Sequence, residues 1–178
     1  GPDTDNRLQF YKVNQKEIPS ISGDVIPEYV SSLGQYKRDV IERYSQDLAN
    51  AGADKTLLHR EWVNSRGVIF RFDRCALEVR VMDEQECIKS DVALACFVRA
   101  AIRGLNASNV ELLSHEILVK DFNKIIKEGL NAEVSSPHGK TARQVCQYYF
   151  RIAMEHATED ETKYLWLVKK RIEEGSLS

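Results

Sequence analysis

Behind the pattern Ser32-x-x-Gln35, the residues Tyr36, Val40, Ile41, Tyr44 and Leu48 recur at the spacing of one helical face, and Gly52 follows. Ser32 and Gln35 make a capping box, in which hydroxyl and amide satisfy the backbone N–H groups of a first helical turn. Three more boxes precede periodic apolar sets. Ser108-x-x-Glu111 leads into Leu113, Ile117, Phe122 and Ile125, closed by Gly129. Thr141-x-x-Gln144 leads into Val145, Tyr149, Ile152 and Ala153, and Thr158-x-x-Glu161 into Leu165, Val168 and Ile172, closed by Gly175. A further helix is predicted from about Asp91 to Arg103, with Ser90 as cap and Gly104 as stop. Apolar residues surround most of it, which predicts central burial. Leu8 to Val13 reads as a strand on slight alternation. Ile18 to Tyr29, punctuated by Pro19, Gly23 and Pro27, reads as a packed irregular loop.

Between Gly67 and Asp83 the period changes from helical to two. Val68, Phe70 and Phe72 alternate with Ile69, Arg71 and Asp73; after Arg74-Cys75, Leu77, Val79 and Val81 alternate with Glu78, Arg80 and Met82. This predicts an antiparallel hairpin. Pairing Phe72 with Leu77 would set Arg71 opposite Glu78 and Ile69 opposite Arg80. One face is then apolar and packs under the helices, while the other carries Arg71, Glu78 and Arg80. The fold class expected is α+β and helix-rich: a small antiparallel sheet, the hairpin at about 67–83, against about five helices, with residues 1–178 forming a single domain.

Composition narrows the functions open to such a fold. Hydrophobic residues are 43% and charged residues 29% of 178, enough for a packed core. Lys+Arg 25 against Asp+Glu 27 leaves a net charge of −2, which argues against a broad cationic surface for nucleic acid. No apolar run approaches the roughly 20 residues that cross a bilayer. Gly1-Pro2 reads as the scar of a cleaved tag, and residues 1–6 as frayed. Cys75, Cys87, Cys96 and Cys146 are irregularly spaced, so reduced, buried thiols in a cytoplasm are expected. No close-spaced pattern marks a zinc site. Gly139-Lys140-Thr141 imitates the end of a phosphate loop, but Val134 occupies the position of that motif's first glycine; Thr141 is better read as a helix cap.

One group of residues carries chemistry. Glu78 and Arg80 lie two residues apart on one strand face, about 7 Å along a pleat. A carboxylate there offers oxygen to Mg²⁺, and a guanidinium beside it offers a planar fork to a phosphoryl group. Phosphoryl transfer depends on such positioning and charge neutralisation. The same residues also make an ordinary cross-strand ion pair on a solvated face, and spacing leaves both readings open.

The stretches Glu61-Trp62-Val63-Asn64-Ser65-Arg66-Gly67, Arg71-Phe72-Asp73-Arg74 and Leu77-Glu78-Val79-Arg80-Val81-Met82-Asp83-Glu84-Gln85-Glu86-Cys87 resemble the C-terminal part of the glutamate–cysteine ligase type 2 family. Ile18 to Pro27, Gly129 to Glu133 and Arg171 to Gly175 are similar to further segments of it, in order. The resemblance implies part of a glutamine-synthetase-like catalytic domain, in which ATP phosphorylates the carboxylate of an acidic amino acid and an amine displaces the phosphate. Carried onto this chain, it implies Arg80 and Arg71 as catalytic residues and Glu78 as a Mg²⁺ ligand. Arg66, Arg71 and Arg80 would bind nucleotide phosphates or substrate carboxylate, with ATP and Mg²⁺ as cofactors; Asn64 and Asp83 would shape the site. The family is about twice as long, and its N-terminal half supplies the other strands and most metal-binding carboxylates. The partners implied are therefore the acidic amino acid and amine, together with that half or a second chain completing the sheet. The alternative is a non-catalytic helical protein-interaction domain that keeps the fold without activity.

Overall fold

Alternation at period two does produce a hairpin, shifted by one residue on each strand. In the computed structural model, which describes residues 4–108 and 110–175, β1 (Val68–Arg71) and β2 (Ala76–Val79) pair antiparallel. The register sets Arg71 opposite Ala76 and Ile69 opposite Glu78, rather than Arg71 opposite Glu78. Phe72 leaves the ladder to begin a 3₁₀ turn, Phe72–Arg74, closed by Cys75 in the left-handed region at φ +48°. Each residue keeps its side of the pleat, because a change of partner by two residues preserves parity. The expected contrast of faces does not follow: Ile69, beside Glu78, is buried and Leu77, beside Phe70, is half exposed.

The residues cluster into two compact units, one from Asp5 to Asp83 and one from Glu84 onward that takes in Thr4. In the first, Ser32 caps α2 (Leu33–Tyr36), its hydroxyl accepting from the Gln35 N–H at 3.1 Å. The chain continues through a π-helical segment, Lys37–Glu42, into α3 (Arg43–Asn50). The predicted stripe Tyr36, Val40, Ile41, Tyr44 and Leu48 is buried, and Phe70 and Phe72 of the hairpin pack against it. The Phe70 ring stands edge-on to Tyr36 at 4.7 Å. Tyr44 is fully enclosed and donates to the Arg60 carbonyl at 2.8 Å; burial pushes its hydroxyl pKa upward.

The expected strand at Leu8–Val13 is instead a helix, α1 (Asn6–Val13). Asp5 decides this, since its carboxylate accepts from the Leu8 N–H at 2.8 Å and caps the first turn. A helix also satisfies its own backbone, which a lone strand cannot. The loop after it is packed as predicted, with Ser20, Ile21, Ser22 and Val25 buried. Val25 lies at φ +69°, a strained place for a β-branched residue. Its carbonyl accepts from the Gly67 N–H at 2.7 Å, which ties the loop to the start of the hairpin.

The second unit is helical: α4 (Ile88–Ala107), α5 (His115–Glu128), α6 (Ala142–His156) and α7 (Glu159–Glu174). Thr141 and Thr158 form the predicted capping boxes, and Gly129 and Gly175 terminate α5 and α7 as expected. α4 packs on both α6 and α7, and Ala93, Val168 and Ile172 form a core with Phe97 and Phe150 at its margin. Two expected boundaries move. α4 begins after Cys87 rather than Ser90 and runs through Gly104. Ser108 ends α4, its hydroxyl donating to the Gly104 carbonyl at 2.8 Å, and Ser114 caps α5. Gly104 is a point of close approach: a Cβ there would stand 2.7 Å from His156 Cδ2 and closer still to Ile152 Cγ2. Among the cysteines, Cys96 is buried but Cys75 and Cys87 are exposed, contrary to expectation. Gly1-Pro2 and part of the expected frayed start lie outside the described residues.

Candidate functional site

Three of the predicted residues meet on the polar face of the hairpin. The Glu78 carboxylate lies between two guanidinia: Arg71 Nη1 donates to its Oε2 at 2.6 Å and Arg80 Nε to its Oε1 at 2.8 Å. Arg80 first and Arg71 second hold the Glu78 carboxyl below the usual carboxylate range. Both arginines are tethered again. Arg71 Nε donates to Glu61 Oε1 at 2.9 Å, and Arg80 Nη1 to the carbonyls of Trp62 and Asn64 at 3.1 and 2.6 Å. Among the described residues, Nη2 of each guanidinium donates no hydrogen bond and remains the donor a ligand would meet. The group is not shut into the core, because the Glu78 side chain is 35% exposed and that of Arg80 22%.

Arg66 does not join them. It lies on the other side of the extended chain, two residues before Val68, and its side chain is 2% exposed. Nε and Nη2 donate to both oxygens of Glu28, at 2.5 and 2.7 Å; Nη1 donates to the Ser20 carbonyl at 3.1 Å and to Asn64 Oδ1 at 3.2 Å. With its nitrogens so occupied, Arg66 is a buried strut that ties Glu28 to the Ser20 carbonyl and Asn64. Asn64 is also buried, its amide donating to the Tyr36 hydroxyl at 2.7 Å while its carbonyl steadies Arg80. Asp83 pairs with Arg7 of α1. Strand parity does not signal an inward Arg66, since Ile69, in step with Arg71, is the buried residue of β1 while Val68 and Phe70 are half-buried. Glu61 had no signal either, as its partner Arg71 is met only after folding.

The chemistry of these donors suits a phosphoryl or carboxylate oxygen better than it suits a metal. Both Glu78 oxygens already accept from guanidinia. Among the described residues no group of three His, Cys, Asp or Glu side chains is arranged to hold a metal ion. Glu78 offers one carboxylate, whereas Mg²⁺ needs an octahedral set. These residues by themselves do not fit Mg²⁺.

The family model of Glutamate-cysteine ligase family 2 matches residues 4–178. The chain belongs to this family. It is 47% identical over 173 residues to an uncharacterized protein of Archaeoglobus fulgidus, a match covering 97% of this chain and 43% of that protein. The chain thus spans less than half of that relative's length. No solved structure matches it. Among the described residues no helix is long and apolar enough to cross a membrane.

Proposed function

We propose that this chain is the C-terminal part of an ATP-dependent carboxylate–amine ligase of the glutamate–cysteine ligase kind, acting on an acidic amino acid in the cytoplasm. The observation that carries the reading is the pair of guanidinia held by Glu78 on one hairpin face, within a chain matched to the family over almost its whole length.

In the reaction proposed, a carboxylate oxygen of the acidic amino acid attacks the γ-phosphorus of ATP and ADP departs. An amine nitrogen then attacks the acyl carbon, phosphate leaves, and the nitrogen loses a proton. Arg80 contacts the transferred phosphoryl group, and Arg71 holds a neighbouring phosphate or the substrate carboxylate. Their planar forks stabilise negative charge as it moves between oxygens, and fixed donors of this kind cost no reorganisation during the reaction. Any Mg²⁺ that accompanies ATP would need carboxylates from outside the described residues, which by themselves do not fit it. The two-stranded sheet leaves edges at which the remainder of a family-length chain, or a second copy, adds strands.

The test uses the full-length protein that carries this segment. ADP release should depend on an acidic amino acid, and Arg80→Ala should lower kcat by about 10²–10³-fold, as for removal of a charge-stabilising donor. Unchanged turnover in Arg80→Ala would remove the assignment.

A further inference from the structure

Arg71 stands on β1 and Arg80 just beyond β2, yet the segment from Glu61 to Asn64 anchors both. Backbone carbonyls of that segment hold Arg80, and the Glu61 carboxylate holds Arg71. The carboxylate is itself fixed, since its other oxygen, Oε2, accepts from the Phe72 N–H at 2.9 Å. Its side chain is 17% exposed and that of Arg71 16%, so neither moves freely in solvent.

We propose that Glu61 is a positioning residue: through Nε it locks the Arg71 guanidinium so that Nη1 meets Glu78 and Nη2 is presented to a substrate oxygen. The catalytic part of this inference rests on the ligase reading above. A competing acceptor makes the lock necessary. Asp73 Oδ1 lies 3.6 Å from the same Nε, on an exposed side chain at the turn. Without Glu61 the guanidinium swings toward Asp73 and its fork turns away from Glu78. The bond to Phe72 serves the turn, whereas the bond to Arg71 serves the site. Glu61→Gln separates the two, because its amide oxygen still accepts from Phe72 while the Glu61 charge at Arg71 Nε is gone and those of Glu78 and Asp73 remain.

The first test needs no substrate. In the 178-residue chain, the Arg71 Nε–H resonance should exchange slowly with solvent. Glu61→Gln should accelerate that exchange about tenfold or more, the loss expected of a charge-assisted hydrogen bond. The Arg80 Nε–H, bonded to Glu78, should be unaffected, and an unchanged thermal midpoint would exclude misfolding. The second test is a kinetic cycle in the full-length protein. Glu61→Gln should lower kcat about 10–100-fold with little change in KM, and should add nothing in an Arg71→Ala background. Unchanged Arg71 exchange overturns the proposal, as does a kinetic penalty that persists once Arg71 is gone. If Arg71→Ala and Arg80→Ala leave ADP release intact, the ligase reading fails instead, and the exchange measurement alone then decides whether Glu61 holds Arg71.

Discussion

Arg66 and Arg71 sit five residues apart and have opposite fates. A guanidinium taken out of water is destabilising unless acceptors surround it, and Arg66 meets that condition with Glu28, two carbonyls and Asn64. Arg66→Ala should lower stability by about 2–4 kcal/mol in urea titration, below the full cost of a broken buried pair because Glu28 retains some solvent. Arg66→Lys should recover little, since one ammonium cannot span those acceptors. Glu78 gives a pH signature. Its folded carboxyl titrates below its unfolded value, so its contribution is complete above about pH 4.3 and disappears as pH falls through the depressed value. Thermal midpoints measured down the acid range should fall more steeply for the native chain than for Glu78→Gln. Parallel curves would show that the two arginines do not stabilise the charge.

Helix ends were legible in the sequence where the signal was local. Thr141 and Thr158 bond within three residues of themselves, and nothing else in the molecule needs to be known to place them. Gly104 shows the limit, because in sequence it looks like a stop and in the fold it is where α6 touches α4. Gly104→Ala should destabilise by about 1–3 kcal/mol through overpacking against Ile152 and His156. Gly34→Ala in α2, whose added methyl meets only Ser32 Oγ at 3.9 Å, should be neutral or stabilise by up to about 1 kcal/mol. Denaturation of the two variants side by side separates the explanations. If both behaved alike, helix propensity rather than close approach would govern Gly104. The hairpin register failed for a related reason: alternation fixes the side on which a residue lies, but the turn fixes its partner. Here Phe72 packs by Tyr36 and Phe70 instead of extending the ladder.

For the molecule as a whole, family membership and site completeness are separate matters. The match runs over residues 4–178, yet the described residues assemble no metal-binding group of three. The 178-residue chain supplied with ATP, Mg²⁺, glutamate and an amine should therefore release ADP no faster than a blank in a coupled assay. Turnover would show that its own residues complete the centre. Failure of the full-length protein to bind nucleotide, with or without Mg²⁺, would favour the interaction-domain alternative.

The sequence by itself determined the helices capped by Thr141 and Thr158, the antiparallel hairpin and, through its ordered motifs, the family. Each of these rests on relations within a few residues or on the order of segments. Tertiary structure decided that Arg66 turns inward to Glu28, 38 positions away, and that Glu61 carries Arg71. Pairings at such separations depend on how the chain returns upon itself, and no local periodicity records that path.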